Sequence, residues 1–355
     1  MTSPSRDAHV VAWFLVGVVV GGFLIVTQAR AVGGVAGLLE VGETSRMRPM
    51  IESELGDIPL VEGGGHDGQI AYGIGLDLLG RHVPDFLDDA GYRYRRILYP
   101  ALASLFGWLD GRALLYGMIG LNIVGIGLAT AAVAAIGGHL GTRSGVVAGV
   151  LANPGVWLGV RLLTPDVFGL GLALSGLALA LRRRTVWAVI LLAAAALSKD
   201  QFLLVAWSTG AFLWRSDRRA AVRSTLVPTV ALAAWAAALA VRSFGAFSPR
   251  GNLTLPFLGV WRAFDTWSYA PGREVVLGVV ALVAVAACAA LLIRSRSTLI
   301  RLLGWPWVAL AVVSSAWVWN FGNNAARAFA IVGVVIALAA ASPQDQPIPL
   351  MRSTP

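Results

Sequence analysis

Cysteine is almost missing from this chain. Cys288 is the one thiol in 355 residues, which excludes an intramolecular disulfide and a cysteine metal cluster. Lysine is as scarce: Lys199 stands alone among 28 basic residues, so the net charge of +9 comes from arginine. Charge of either sign is sparse, at 13% of residues against 57% hydrophobic, with a mean hydropathy of +0.72. A soluble chain of this length needs more polar surface, so these values predict an all-α polytopic integral membrane protein. In such a protein an arginine excess reports topology, and no nucleic-acid partner is implied. The sequence shows no internal repeat and no low-complexity linker. It has no phosphate-binding P-loop, no HExxH helix and no nucleophile elbow. No small-residue cleavage site clearly follows the first apolar run, so a cleavable signal peptide is not expected.

What is abundant is apolar sequence, in runs at about 10–27, 113–136, 144–161, 165–181, 185–198, 201–214, 224–242, 274–293, 302–319 and 325–341. Several fall short of the roughly 20 residues that a perpendicular helix needs. Tilt, local thinning or broken helices must cover the difference. The run 97–109 is shorter still and carries Pro100, so it is expected to be interfacial or re-entrant. With that run not crossing, the basic loops at 139–143, 182–184, 215–223 and 294–301 fall on one side, with Arg6 and Arg352. The positive-inside rule makes that side cytoplasmic. The expectation is ten transmembrane helices in the plasma membrane with both termini cytoplasmic. Residues 1–345 form one integral domain, and 346–355 a short cytoplasmic tail. Residues 28–112 form a long first extracytoplasmic loop containing interfacial helices.

The same alternation places a different chemistry on the outer side. The first loop holds more than half of the acids, including Glu62 and Asp67. Arg161 and Asp166, Lys199 and Asp200, then Arg250, Arg262, Asp265 and Arg273, and finally 320–324 with Arg327 share that side. Ionisable groups at helix ends are costly unless paired or facing a polar cavity, so five such clusters on one face look like a site. Within Gly65-His66-Asp67-Gly68-Gln69-Ile70-Ala71-Tyr72, glycines flank an acid in a loop beside a rigid scaffold. Asp67 is a candidate general base or metal ligand; the alternative is a turn whose Asp67 caps the helix from Gln69 onward. Glu62 offers a second carboxylate, so that the two acids can hold Mg²⁺ or Mn²⁺; the alternative is a solvated loop acid. His66 can serve as a metal ligand, a second base or a hydrogen-bonding neighbour, and Gln69 and Tyr72 complete the octet. Around Tyr92-Arg93-Tyr94-Arg95-Arg96, arginine forks at head-group level can hold a lipid phosphate, or simply anchor the interface. Arg161 and Asp166 flank a Pro-kinked connection and are expected to pair. Arg327 should face the bundle interior.

Together, Asp67-Gly68-Gln69, Arg95-Arg96-Ile97-Leu98-Tyr99-Pro100, Asn153-Pro154, Leu163-Thr164-Pro165-Asp166 and Ser198-Lys199-Asp200 give the chain a resemblance to the GT-C superfamily of membrane glycosyltransferases. The likeness extends over about residues 10–215. It resembles the bacterial members with an Asp-Gly-Gln pattern in the first loop. The resemblance implies transfer of a sugar from a polyprenyl-phosphate donor to a glycan, lipid or protein acceptor at the extracytoplasmic face, with inversion. It also implies that Asp67 activates the acceptor or helps to hold a divalent cation, and that Arg95, Arg96 and Lys199 neutralise the departing phosphate. Two other readings stand beside it: a non-catalytic membrane scaffold of the same fold, and a lipid or solute transporter.

Overall fold

The computed structural model describes residues 6–108, 110–142, 144–242 and 252–342. Arg143, Arg250, Arg352 and the tail 346–355 lie outside them. The described residues are all-α: 78% helical, with almost no sheet. In chain order the helices are α1 (Arg6–Ala31), α2 (Arg48–Leu55), α3 (Asp67–Leu76), α4 (Ala90–Tyr94), α5 (Leu98–Gly107) and α6 (Gly111–Leu140). Then come α7 (Ala148–Leu151), α8 (Pro154–Arg161), α9 (Pro165–Leu181), α10 (Thr185–Ser198), α11 (Leu203–Leu213) and α12 (Arg218–Val241). The last six are α13 (Leu258–Trp267), α14 (Gly272–Arg294), α15 (Thr298–Val313), α16 (Ala316–Trp319), α17 (Gly322–Ala328) and α18 (Ala330–Ala341).

Among the described residues, α1, α6, α12 and α14 are long and apolar enough to cross a membrane. The pair α17 and α18, bent by 51°, makes a fifth if it is one broken span. The expected run 144–161 is not one helix. It breaks at Asn153, whose side chain accepts from Gly155 N at 3.0 Å, with Pro154 opening α8. The run 302–319 ends at Val313, where Ser314 and Ser315 turn extended. The run 325–341 breaks at Phe329. The run 97–109 forms α5, ten residues long and too short to cross.

Helix α6 is the centre: 67% of its most apolar window is buried, against 22%, 17% and 28% for α1, α12 and α14. Those three turn apolar faces outward. On α1, Val11, Leu15, Val19 and Phe23 recur every fourth residue and are all exposed, a stripe suited to lipid. Small residues bring α6 against its neighbours. A Cβ on Gly125 would meet the Phe168 backbone of α9 at 2.7 Å, and one on Gly127 would meet Phe14 of α1 at 2.9 Å. Close backbone approach of this kind is how helices associate where no hydrophobic effect drives them together. Thr130 adds an interhelical bond, donating to Trp13 O at 2.9 Å.

The segment between α1 and α6 is not loose. Two short strands, β1 (Val41–Gly42) and β2 (Leu60–Val61), pair in parallel and pin α2 and α3 over the bundle end. Tyr94 OH donates to Asp77 O at 2.7 Å, and Tyr99 OH to Met118 O of α6 at 3.0 Å. Arg182, just after α9, pairs with Asp7 at 3.1 Å, so the start of α1 and the end of α9 share one end of the bundle. The start of α9 lies about 25 Å away, at 1.5 Å per residue.

Candidate functional site

At that far end the structure joins residues from four connections into one chain of ion pairs. Asp67 opens α3, where a carboxylate also complements the helix dipole. It does not cap the helix: the N-cap is His66, without a side-chain cap bond. The two Asp67 oxygens are divided between two arginines. Oδ1 accepts from Arg93 Nη1 at 2.8 Å and Oδ2 from Arg327 Nη2 at 3.0 Å. Arg93 also grips Asp88, through Nε at 2.9 Å and Nη2 at 3.0 Å. Arg327 reaches on from α17, with Nη1 3.5 Å from Asp166 Oδ2. The other Asp166 oxygen takes Lys199 Nζ. Asp166 lies in the first turn of α9 and Lys199 at the C-cap of α10, so each charge suits the dipole it meets. Arg95 Nη2 stands 3.6 Å from Asp200 Oδ2.

Burial pushes the Asp67 carboxyl up, but Arg327, Arg93 and Arg96 outweigh it and hold it well below the usual carboxylate range. Asp67 is therefore ionised at any pH near neutrality, and a weak base. Arg96 interacts with Asp67 and Asp200 only at longer range. Among the described residues it has no carboxylate within ion-pair distance; its Nη2 donates to Tyr92 OH, and its guanidinium lies 4.4 Å from the Tyr92 ring centroid. Its Nε is buried without a partner. Beside this cluster an apolar groove of about 340 Å³ is lined by Ile97, Leu197, Ala231, Ala234 and Trp235. Ile97 follows Arg96 directly and Leu197 is two residues before Lys199, but neither cation nor Asp67 lines the groove. Trp235 is fixed by donating to Tyr94 O at 2.9 Å.

Several expectations need correction. Arg161 and Asp166 do not pair: Arg161 Nη2 binds Glu40 Oε1 at 2.6 Å, while Asp166 turns inward to Lys199 and Arg327. Glu62 is exposed and takes no part in the network. Lys199 is buried against Asp166, so its charge is already neutralised. Gln69 is a buried strut, donating to Gly64 O at 2.7 Å. Tyr72 is fully buried, and its OH faces Gly111 at the start of α6. Arg262, Asp265 and Arg273 are exposed and outside the cluster; their loop contributes Glu274, which accepts from Asn323 N at 2.9 Å and so anchors α17 beside Arg327.

A divalent cation does not fit the residues here. Both Asp67 oxygens already face guanidiniums, and no three His, Cys, Asp or Glu among the described residues form a ligand group. Two participants escape a reading of the sequence. Arg93 sits in the arginine stretch, but nothing in its spacing distinguishes it from Arg95 and Arg96 as the partner of Asp67. Glu40 follows Leu38-Leu39 as a single acid at the end of an apolar stretch, and is 2% exposed.

Comparison with protein-family models, curated proteins and solved structures found no match.

Proposed function

We propose that this chain is an integral-membrane glycosyltransferase of the GT-C kind, which moves a sugar from a polyprenyl-phosphate donor to a glycan, lipid or protein acceptor. The observation that carries this reading is Arg96, a half-buried arginine with no carboxylate within ion-pair distance among the described residues, near the arginine-locked Asp67 and followed by Ile97 of the apolar groove. A guanidinium with an unpartnered buried Nε, one residue from an apolar groove, suits an amphiphile with a phosphate head. A guanidinium is the fitting partner for phosphate because its planar fork donates two parallel hydrogen bonds. The resemblance of 95–100 and the other motifs points the same way. In this reading Arg96, with Arg95 beside it, binds the phosphate and stabilises the charge that develops as it leaves. Asp67 holds Arg93 and Arg327 in place. The ten crossings and the extracytoplasmic position of the site belong to the same proposal.

The test uses purified protein in nanodiscs and a panel of radiolabelled polyprenyl-phosphate sugars. Wild type is expected to bind and turn over at least one donor, and EDTA to leave the rate unchanged. Arg96→Ala should weaken donor binding by roughly tenfold to a hundredfold, the worth of a hydrogen bond to a charged group. Asp67→Asn should lower turnover by misplacing both arginines. A wild-type protein that neither binds nor turns over any donor would sink the proposal. One feature favours transport instead: the α17–α18 break next to Arg327, since broken helices line transporter sites. Substrate flux into proteoliposomes without chemical turnover would decide for that alternative.

A further inference from the structure

His66 is the neighbour of Asp67, and its setting differs. Its Nε2 lies 3.2 Å from Glu40 Oε2; the His66 side chain is 37% exposed and that of Glu40 only 3%. The second Glu40 oxygen is held by Arg161 of α8 at 2.6 Å, which fixes the carboxylate from behind. The backbones are tied as well, with His66 N donating to Glu40 O at 3.1 Å. Glu40 has a φ of 47°, in the left-handed region that only an over-determined surrounding maintains in a non-glycine residue. Gly65, at φ 78°, permits the approach, because a Cβ there would collide with Gly42 N and the Gln69 amide and meet Glu40 O at 2.6 Å. Nε2 faces the Glu40 carboxylate, and a proton on that nitrogen puts the lone pair of the imidazole on Nδ1. A buried carboxylate that orients a partly exposed histidine is the arrangement of an activated base. Asp67 lacks this freedom, since both of its oxygens are occupied by guanidiniums.

We infer that His66, oriented by Glu40, takes the proton of the acceptor hydroxyl, and that Asp67 organises the arginines. This rests on the glycosyltransferase reading above. In the step, the acceptor oxygen bonds to the anomeric carbon. The anomeric C–O bond breaks, and its electron pair leaves on the polyprenyl phosphate. The hydroxyl proton passes to His66 Nδ1, and the imidazolium so formed faces Glu40. His66 is then a catalytic residue, and Glu40 and Arg161 are positioning residues.

The experiment compares full-length wild type, His66→Ala, His66→Gln and Glu40→Gln in nanodiscs, with a donor that wild type turns over. His66→Ala is expected to lose at least about a hundredfold in kcat, the usual worth of a general base, with donor affinity kept. Added imidazole should restore part of that rate. Glu40→Gln should lower kcat when His66 is present, yet leave the imidazole-rescued rate of the His66→Ala background unchanged. His66→Gln keeps a donor toward Glu40 without a base, so it replaces His66→Ala should that variant not fold, and it too should be inactive. Wild-type kcat in either His66 variant overturns the inference alone. So does lost activity without imidazole rescue, or lost together with donor binding. A wild type inert toward every donor overturns the function reading and this inference with it.

Discussion

Asp166 shows how much a single residue can decide. It is 5% exposed and is shared by Lys199 and Arg327, so removing one cation leaves a buried carboxylate undercompensated. Breaking a buried pair of this kind costs about 3–5 kcal/mol, whereas replacing both partners by uncharged groups is often close to neutral. Lys199→Met is therefore expected to lower thermal stability strongly, and Asp166→Asn with Lys199→Met to recover most of it. Cys288, 1% exposed and the sole thiol, provides the readout through its reaction with a thiol-specific dye on heating. If the double variant were as unstable as the single, the pair would not be the cause. At this scale the sequence revealed which residues are unusual, but not whom they meet. Asp67, His66, Lys199 and Arg327 stand out as polar residues beside apolar runs. Their partners come from 26 to 260 positions away, a distance no local pattern encodes. Arg161 and Asp166 are close in sequence and still part, because each meets a partner brought in by another element, Glu40 for Arg161 and Lys199 and Arg327 for Asp166.

Helix existence was legible from hydropathy, and helix breaks only in part. Asn153-Pro154 carries its own signal, a capping side chain before a residue that cannot continue the helix. The break at Phe329 has none, since Ala328-Phe329-Ala330 reads as uninterrupted apolar helix; its cause is tertiary. Gln201 donates to Ala328 O, a carbonyl freed at the end of α17, at 3.2 Å, and Asn153 donates to Ala330 O at 2.5 Å, so side chains from other elements hold the bend on both sides. Helix contacts also follow small residues that periodicity ignores. Helices α6 and α9 touch at Gly125 and Gly171, where a Cβ on Gly171 would meet Leu128 at 3.0 Å as well as Gly125 O. Gly125→Val should force the two helices apart and cost about 1–3 kcal/mol, the range for overpacking a close interface. Gly120→Val, on the same helix with open space around it, is the control and should be near neutral. Equal loss in both would mean that the α6–α9 crossing is not responsible.

For the whole molecule, the sequence separated two chemistries and the structure keeps them at two ends. Arg182 with Asp7 marks one end, and the network from Asp88 to Lys199 marks the other. Among the described residues four or five helices are long enough to cross, while α9, α10 and α15 are apolar but shorter, so they need a thinned bilayer to reach both faces. Whether they do so determines how many times the chain crosses. Ten crossings place positions 140, 183, 216 and 296 inside, and positions 62, 81 and 262 outside. The measurement is single-cysteine labelling, in a Cys288→Ala background, of intact and of permeabilised cells with a membrane-impermeant maleimide. Cysteines at 62, 81 and 262 should label in intact cells, and those at 140, 183, 216 and 296 only after permeabilisation. Glu62, Arg81 and Arg262 are exposed, so a failure to label them in intact cells would put the Asp67 network on the cytoplasmic side. That result would exclude a donor presented from the outer leaflet, whatever the geometry around Arg96. A split among the inner set would instead show which of the shorter helices turns back without crossing.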